Sequence, residues 1–231
     1  MLSNHREKLE DHIHSYYRSM DKHNSFLRRA KNGSDAEYLY KSNLRPLDLN
    51  RYKILKMIFS EADSYLRHYK NLFRVPWKIY EFEDGLGELP FPHTHADTIF
   101  LPRQWLKNKA DSGDIHSIAS TLIHEKIHIY QRLYPVYAHF LILNVWRFSI
   151  ASTLDIEANK NILRKNPDAN KLVYKDSEGV LILPIIQNNN SSKISDPRDH
   201  PFEIMAYRLT DIILNKIKPY EEEQTWINTY L

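Results

Sequence analysis

Cysteine is absent from all 231 residues. Disulfide frameworks, thiolate zinc ribbons and cysteine nucleophiles are excluded together, and any bound metal must be held by imidazole and carboxylate. Long apolar runs are missing as well. The most apolar stretch, Val136 to Ile150, is interrupted by His139, Asn144 and Arg147 and is too short to span a bilayer. The opening residues, Met1 to Lys8, lack the apolar centre of a signal peptide. The expectation is a cytoplasmic protein with no membrane partner. Nor does charge of one sign dominate, the net charge being +3. Residues 1–74 carry +6 from 15 Lys+Arg against 9 Asp+Glu, and the remainder −3 from 17 against 20. The basic residues alternate with acidic ones, as on a solvated helical surface, so a nucleic-acid partner is not expected. No internal repeat is visible.

What is present suffices for a substantial core: 42% of residues are hydrophobic and 12% aromatic. The length fits one large domain, or one domain with an extension. Residues 5–30 read as a helix with Leu9, Ile13, Tyr16, Tyr17, Met20 and Leu27 on its apolar face, ended at Asn32-Gly33-Ser34. A second helix is expected from about Asp48 to Leu72, where Tyr52, Leu55, Ile58, Phe59, Ala62, Leu66, Tyr69 and Phe73 recur at helical spacing. Pro76 marks a change of style. Trp77 to Phe82 alternates like a half-buried strand and ends at Asp84-Gly85. A proline-punctuated loop carrying His93 and His95 comes next, then a short strand from Ala96 to Leu101. His93 and His95 share a side if extended and could form a metal site, but solvated loop histidines are the simpler expectation.

A long helix is expected from Asp111 or Ser112, either able to cap it, to a point before Pro135. Pro135 should open another, reaching about Leu163. A hairpin is expected from Lys171–Lys175 and Val180–Ile186, then a polar loop over Gln187–Asp199. The last helix opens with Asp199-His200-Pro201-Phe202-Glu203, with a cap, a proline suited to the first position and an acid in the first turn. Met205, Leu209, Ile212, Ile213 and Ile217 should bury one side, with Glu203, Tyr207 and Asp211 on another, and the acids Glu221 to Glu223 should be solvated. The fold class expected is α+β, mainly helical, with a small sheet beside the long helix and an N-terminal helical extension over residues 1–74.

One pentapeptide organises the rest: His124-Glu125-Lys126-Ile127-His128. Two histidines four apart on a helix share a face, so both rings reach a single Zn²⁺, and the glutamate between them stands beside the metal without ligating it. Ile115, Ile118, Ala119, Leu122, Ile129 and Leu133 make one apolar stripe, and Ile123, Ile127 and Tyr130 a second. A helix apolar on two sides is buried, and buried histidines need partners. A catalytic zinc takes three protein ligands and keeps a position open. Glu203, directed from the first turn of a later helix, is the candidate third ligand.

Here the sequence resembles the zincin-like metallopeptidases of the gluzincin type. These pair a His-Glu-x-x-His helix with a glutamate from a later helix, often opening Pro-x-Glu-x-x-Ala; this chain reads Pro201-Phe202-Glu203-Ile204-Met205-Ala206. The run His128-Ile129-Tyr130-Gln131 is also similar to the residues after the second histidine in several such families. The resemblance spans about residues 77–217, makes 75–231 a zincin-like metallopeptidase domain and says nothing of residues 1–74. It implies a zinc-dependent peptidase acting on a peptide or protein, with His124, His128 and Glu203 as ligands and Glu125 as general base. Tyr207, one turn beyond Glu203, could supply a phenolic proton to the oxyanion, with Tyr130, Tyr134 and His200 as weaker options. Substrate would add as a strand along a sheet edge, expected at Ala96–Leu101. Glu157 is the rival ligand, since some gluzincins use the helix directly after the motif with an aspartate four residues on; here that residue is Asn161, and Lys160 offers Glu157 an exposed ion pair. The other function class is a zinc-containing but non-catalytic binding or scaffold protein working through its basic N-terminal helices; retention of Glu125, which no structural site needs, argues for the enzyme.

Overall fold

A computed structural model of the chain describes residues 9–15, 37–38, 41–47, 54–82, 91–159, 168–182 and 200–231. Residues 9–15 are helical. Beyond them, in chain order, lie β1 (Arg45–Pro46), α1 (Ile54–Leu66), α2 (Lys70–Arg74), β2 (Ile79–Phe82), β3 (His93–His95), β4 (Thr98–Pro102), α3 (Arg103–Ser112) and α4 (Ile115–Leu133). Then come α5 (Pro135–Phe140), a π-helical turn (Leu141–Val145), β5 (Ser149–Ile150), α6 (Thr153–Asn159), β6 (Tyr174–Lys175), β7 (Leu181–Ile182), α7 (Pro201–Ile213) and α8 (Glu221–Tyr230). The class is α+β, mainly helical, with two small sheets.

The motif helix α4 is the axis of the core, with α1 packed against it on one side and α7 on another. Leu55, Ile58, Ala62 and Leu66 of α1 share one apolar cluster with Ile118, Leu122, Ile123, Ile127 and Ile129 of α4 and with Met205, Leu209 and Ile213 of α7. Each of the leucine, isoleucine and methionine side chains, fully buried, contributes about 1.5–3 kcal/mol of transfer free energy. Lys126, the middle residue of the motif, points away from the two histidines. Its Nζ donates to Phe73 O at 3.3 Å and lies 3.9 Å from the centre of the Trp77 ring, tying α4 to the segment around α2. Among the described residues no helix is long and apolar enough to cross a membrane.

The larger sheet has the order β1-β2-β4-β3, with β2 and β4 parallel and the other pairs antiparallel. The smaller sheet is β5-β6-β7. Its β6–β7 pair is the expected hairpin, in register Tyr174↔Ile182 and closed at Gly179, whose φ of 82° suits glycine; residues 183–186 lie outside the described residues.

Several boundaries differ from the sequence expectation. The helix expected over Asp48–Leu72 is broken between Leu66 and Lys70, and residues 48–53 lie outside the described residues. The motif helix begins later than Asp111 or Ser112. Those residues end α3, Gly113 turns at φ 67°, and Asp114 caps α4 by accepting from Ser117 N at 3.0 Å. The helix expected from Pro135 to Leu163 gives way to the π-helical turn, to Arg147 at φ 61° and to β5 before α6 begins. Ile217 is exposed rather than buried. Of the acids expected in solvent, Glu223 is buried, accepting from Arg208, from Trp146 Nε1 at 2.7 Å and from Tyr220 N at 2.8 Å. Most of the helix expected at 5–30, and the loop at 187–199, lie outside the described residues.

Candidate metal centre

Two helices deliver the site. On α4, His124 and His128 project from one face, and their Nε2 atoms stand 3.0 Å apart. On α7, the chain enters through His200, whose Nδ1 accepts from Phe202 N at 3.1 Å and caps the first turn. Pro201 occupies the first helical position, where its missing N–H costs nothing. That cap places Glu203 so that its Oε2 lies 3.4 Å from both His124 Nε2 and His128 Nε2.

These three side chains are the group among the described residues whose donor atoms converge closely enough to hold a metal ion. Donors held about 2.0–2.1 Å from one tetrahedral metal stand roughly 3.3 Å from one another. The separations of 3.0, 3.4 and 3.4 Å fit that triangle. Two imidazoles with one carboxylate also form a known catalytic donor set for zinc. Glu157, the rival, is exposed on α6 and does not belong to the group.

Electrostatics bind the three together. Burial alone would raise Glu203, but the adjacent His128 and His124 outweigh it and hold its carboxyl well below the usual range. Burial would lower His128, but Glu203 lifts it to about 9. His124 stays lowered, its burial only partly offset by Glu203. Glu125 behaves oppositely to Glu203: burial, and then the charge of Asp168, push its carboxyl well above the usual range. Glu125 is 4% exposed, and its Oε2 has no hydrogen-bond partner among the described residues. A buried carboxylate oxygen left without a donor costs stability unless something else is meant to meet it.

Tyr207 packs its ring against His124, with centroids 4.3 Å apart, and is 43% exposed. The weaker oxyanion candidates point elsewhere. Tyr130 donates to Tyr230 O at 2.8 Å, Tyr134 stacks on Tyr137, and His200 has both ring nitrogens engaged, Nδ1 in the cap and Nε2 donating to Leu172 O at 3.1 Å.

The sheet beside the site corrects two expectations. Ala96–Leu101 is not an edge: β4 is interior, and the outer strand is β3. His93 and His95 are therefore not solvated loop residues but buried strand residues, at 5% and 0% exposure. His12 packs on His95 with ring centres 5.5 Å apart. No metal-binding group includes these three among the described residues. The outward amide of β3 is also taken, since Thr94 N donates to Asp168 at 2.6 Å. Arg132 donates to Thr94 Oγ1 and, through Nε, to Ala96 O at 2.8 Å. Asp168 and Arg132 are neighbours of the site that the sequence reading misses. Asp168 follows Asn166-Pro167 in the sequence, where no periodic signal marks it, while Arg132, four residues after His128, was legible from helical spacing. No protein-family model, curated protein or solved structure matches this chain.

Proposed function

We propose that the protein is a zinc-dependent peptidase with a zincin-like core of the gluzincin type, in which His124, His128 and Glu203 hold the metal. The observation that carries this reading is the convergence of those three donors, from two helices 75 positions apart, beside a buried glutamate that is not one of them. A scaffold site would need the triangle but not Glu125.

Zinc held there would acidify a coordinated water toward a pKa of about 7 and polarise a peptide carbonyl. The chain's own residues supply the proton chemistry. Glu125, raised in proton affinity by burial and Asp168, accepts the proton of the attacking water and passes it to the departing amine. Tyr207, packed against His124 and 43% exposed, donates to the carbonyl oxygen as negative charge gathers there. Arg132 supplies the positive charge that partly opposes the burial of Glu125.

The test is cleavage of a mixed peptide library by zinc-loaded protein, wild type beside Glu125→Gln. The amide keeps the shape and cannot take the proton, so the variant should bind zinc and lose hydrolysis. Activity that survives the change would sink the mechanism. Zinc binding without cleavage of any peptide by wild type would favour the non-catalytic reading.

A further inference from the structure

Gln131 is fully buried on α4, three residues beyond His128 and outside the donor triangle. Its amide lies between two partners. Nε2 donates to Phe202 O at 2.8 Å, and Oε1 lies 3.0 Å from His128 Nδ1. A backbone carbonyl can only accept, so Phe202 fixes which end of the amide faces which way. The end left for His128 is an acceptor, and His128 Nδ1 must therefore carry a proton. The same ring's Nε2 is then the nitrogen turned toward His124 and Glu203.

We propose that Gln131 is a positioning residue that selects Nε2 of His128 as the metal-binding atom; this rests on the metal-site reading above. Phe202 immediately precedes Glu203, so the first turn of α7 holds one ligand directly and a second through the Gln131 amide. His124 has no such brace: its Nδ1 is buried with no hydrogen-bond partner among the described residues. The two histidines are consequently unequal, one aimed by the protein and the other by what it binds.

The experiment uses the full chain with Gln131→Met, which keeps volume without polar atoms, and Gln131→Glu, which keeps an acceptor for Nδ1–H but cannot donate to Phe202. Zn²⁺ affinity is read by competition with a chromophoric chelator, and the His128 Nδ1 proton by NMR exchange in metal-stripped protein. The wild type should show a slowly exchanging Nδ1 proton. Gln131→Met should lose that protection and bind Zn²⁺ about 10–100-fold more weakly, while Gln131→Glu should stay within a few-fold of wild type. Equal losses in both variants, or no loss in either, would overturn the assignment. If Gln131→Met does not fold, Gln131→Glu decides alone: retained affinity supports the role, and a loss of about tenfold or more overturns it. Zinc binding with an unprotected Nδ1 defeats the positioning role only. A protected Nδ1 in a protein that binds no zinc defeats the metal site and the role with it.

Discussion

Tyr207 lays its ring 4.3 Å from that of His124, tilted by 54°, one helical turn beyond Glu203. A candidate metal ligand and a phenol thus share one wall of the site. The packing against His124 is made by the ring and not the hydroxyl, so the two can be separated by substitution. Tyr207→Phe should keep zinc binding and lower kcat by about 10–100-fold with KM little changed, the pattern for a donor used only in the transition state. Steady-state kinetics on one cleaved peptide checks this. An unchanged kcat would leave the ring as packing alone.

The donor triangle joins α4 to α7, so a metal held there should act as a clamp on the fold. Stripping zinc with chelator should lower Tm, and returning it should restore Tm in proportion to RT ln(1 + [L]/Kd), about 2.7 kcal/mol at a hundredfold excess over Kd. Glu203→Ala should abolish most of that shift, because two histidines alone make a weak site. Glu157→Ala, at an exposed position on α6, should leave it intact. Thermal unfolding with and without Zn²⁺ decides the matter. A shift lost in Glu157→Ala and kept in Glu203→Ala would reverse the assignment.

What the sequence made legible was local. The spacing of His124 and His128 and the Pro-x-Glu start at Pro201 are helix-period features, and a helix of either kind lands where its own pattern puts it. The order of strands is different. β2 and β4 become parallel neighbours only because β3 folds back on the outside of β4, a long-range choice that no alternation within Ala96–Leu101 encodes. His93 and His95 looked like solvated loop residues because the prolines around them hid a three-residue strand. Asp168 and Gln131 are polar residues that become buried by pairing, and hydropathy patterns register the polarity but not the partner.

Glu223 illustrates the same point and can be measured. It is 1% exposed, with acceptor bonds from Arg208, Trp146 and Tyr220, whereas Glu221 and Glu222 on the same turn are exposed. Glu223→Ala strands the Trp146 indole and leaves Arg208 without its carboxylate, and should cost about 2–4 kcal/mol. Glu222→Ala should fall within about 0.5 kcal/mol of wild type. Urea denaturation of both variants tests the contrast, and equal values would mean that the tail is solvated after all.

Acid should release the helix that carries Glu203. Burial lowers His200 from 6.5 to about 4, partly opposed by its bond to Leu172 O. The folded state therefore keeps this imidazole neutral while the unfolded chain takes up a proton. Stability from that difference is fully present above about pH 6.5 and is lost as pH falls toward 4, by up to about 3 kcal/mol. His12, also lowered to about 4 by burial and then by Arg132, acts in the same direction and window. His128, raised to about 9, acts oppositely: its stabilisation is fully present below about 6.5 and is lost as pH rises toward 9, outside this range. The consequence at His200 is structural, since a proton on Nδ1 removes the acceptor for Phe202 N and with it the cap of α7. His200→Asn keeps a capping oxygen that does not titrate. In chelator-treated protein, its stability at pH 7 should drop by about 1–3 kcal/mol from lost packing and the lost Leu172 bond. Between pH 6.5 and 4, however, its stability should fall less steeply than that of wild type. Urea titrations at half-unit pH steps measure both slopes, and parallel slopes would show that His200 takes up its proton without disturbing the cap.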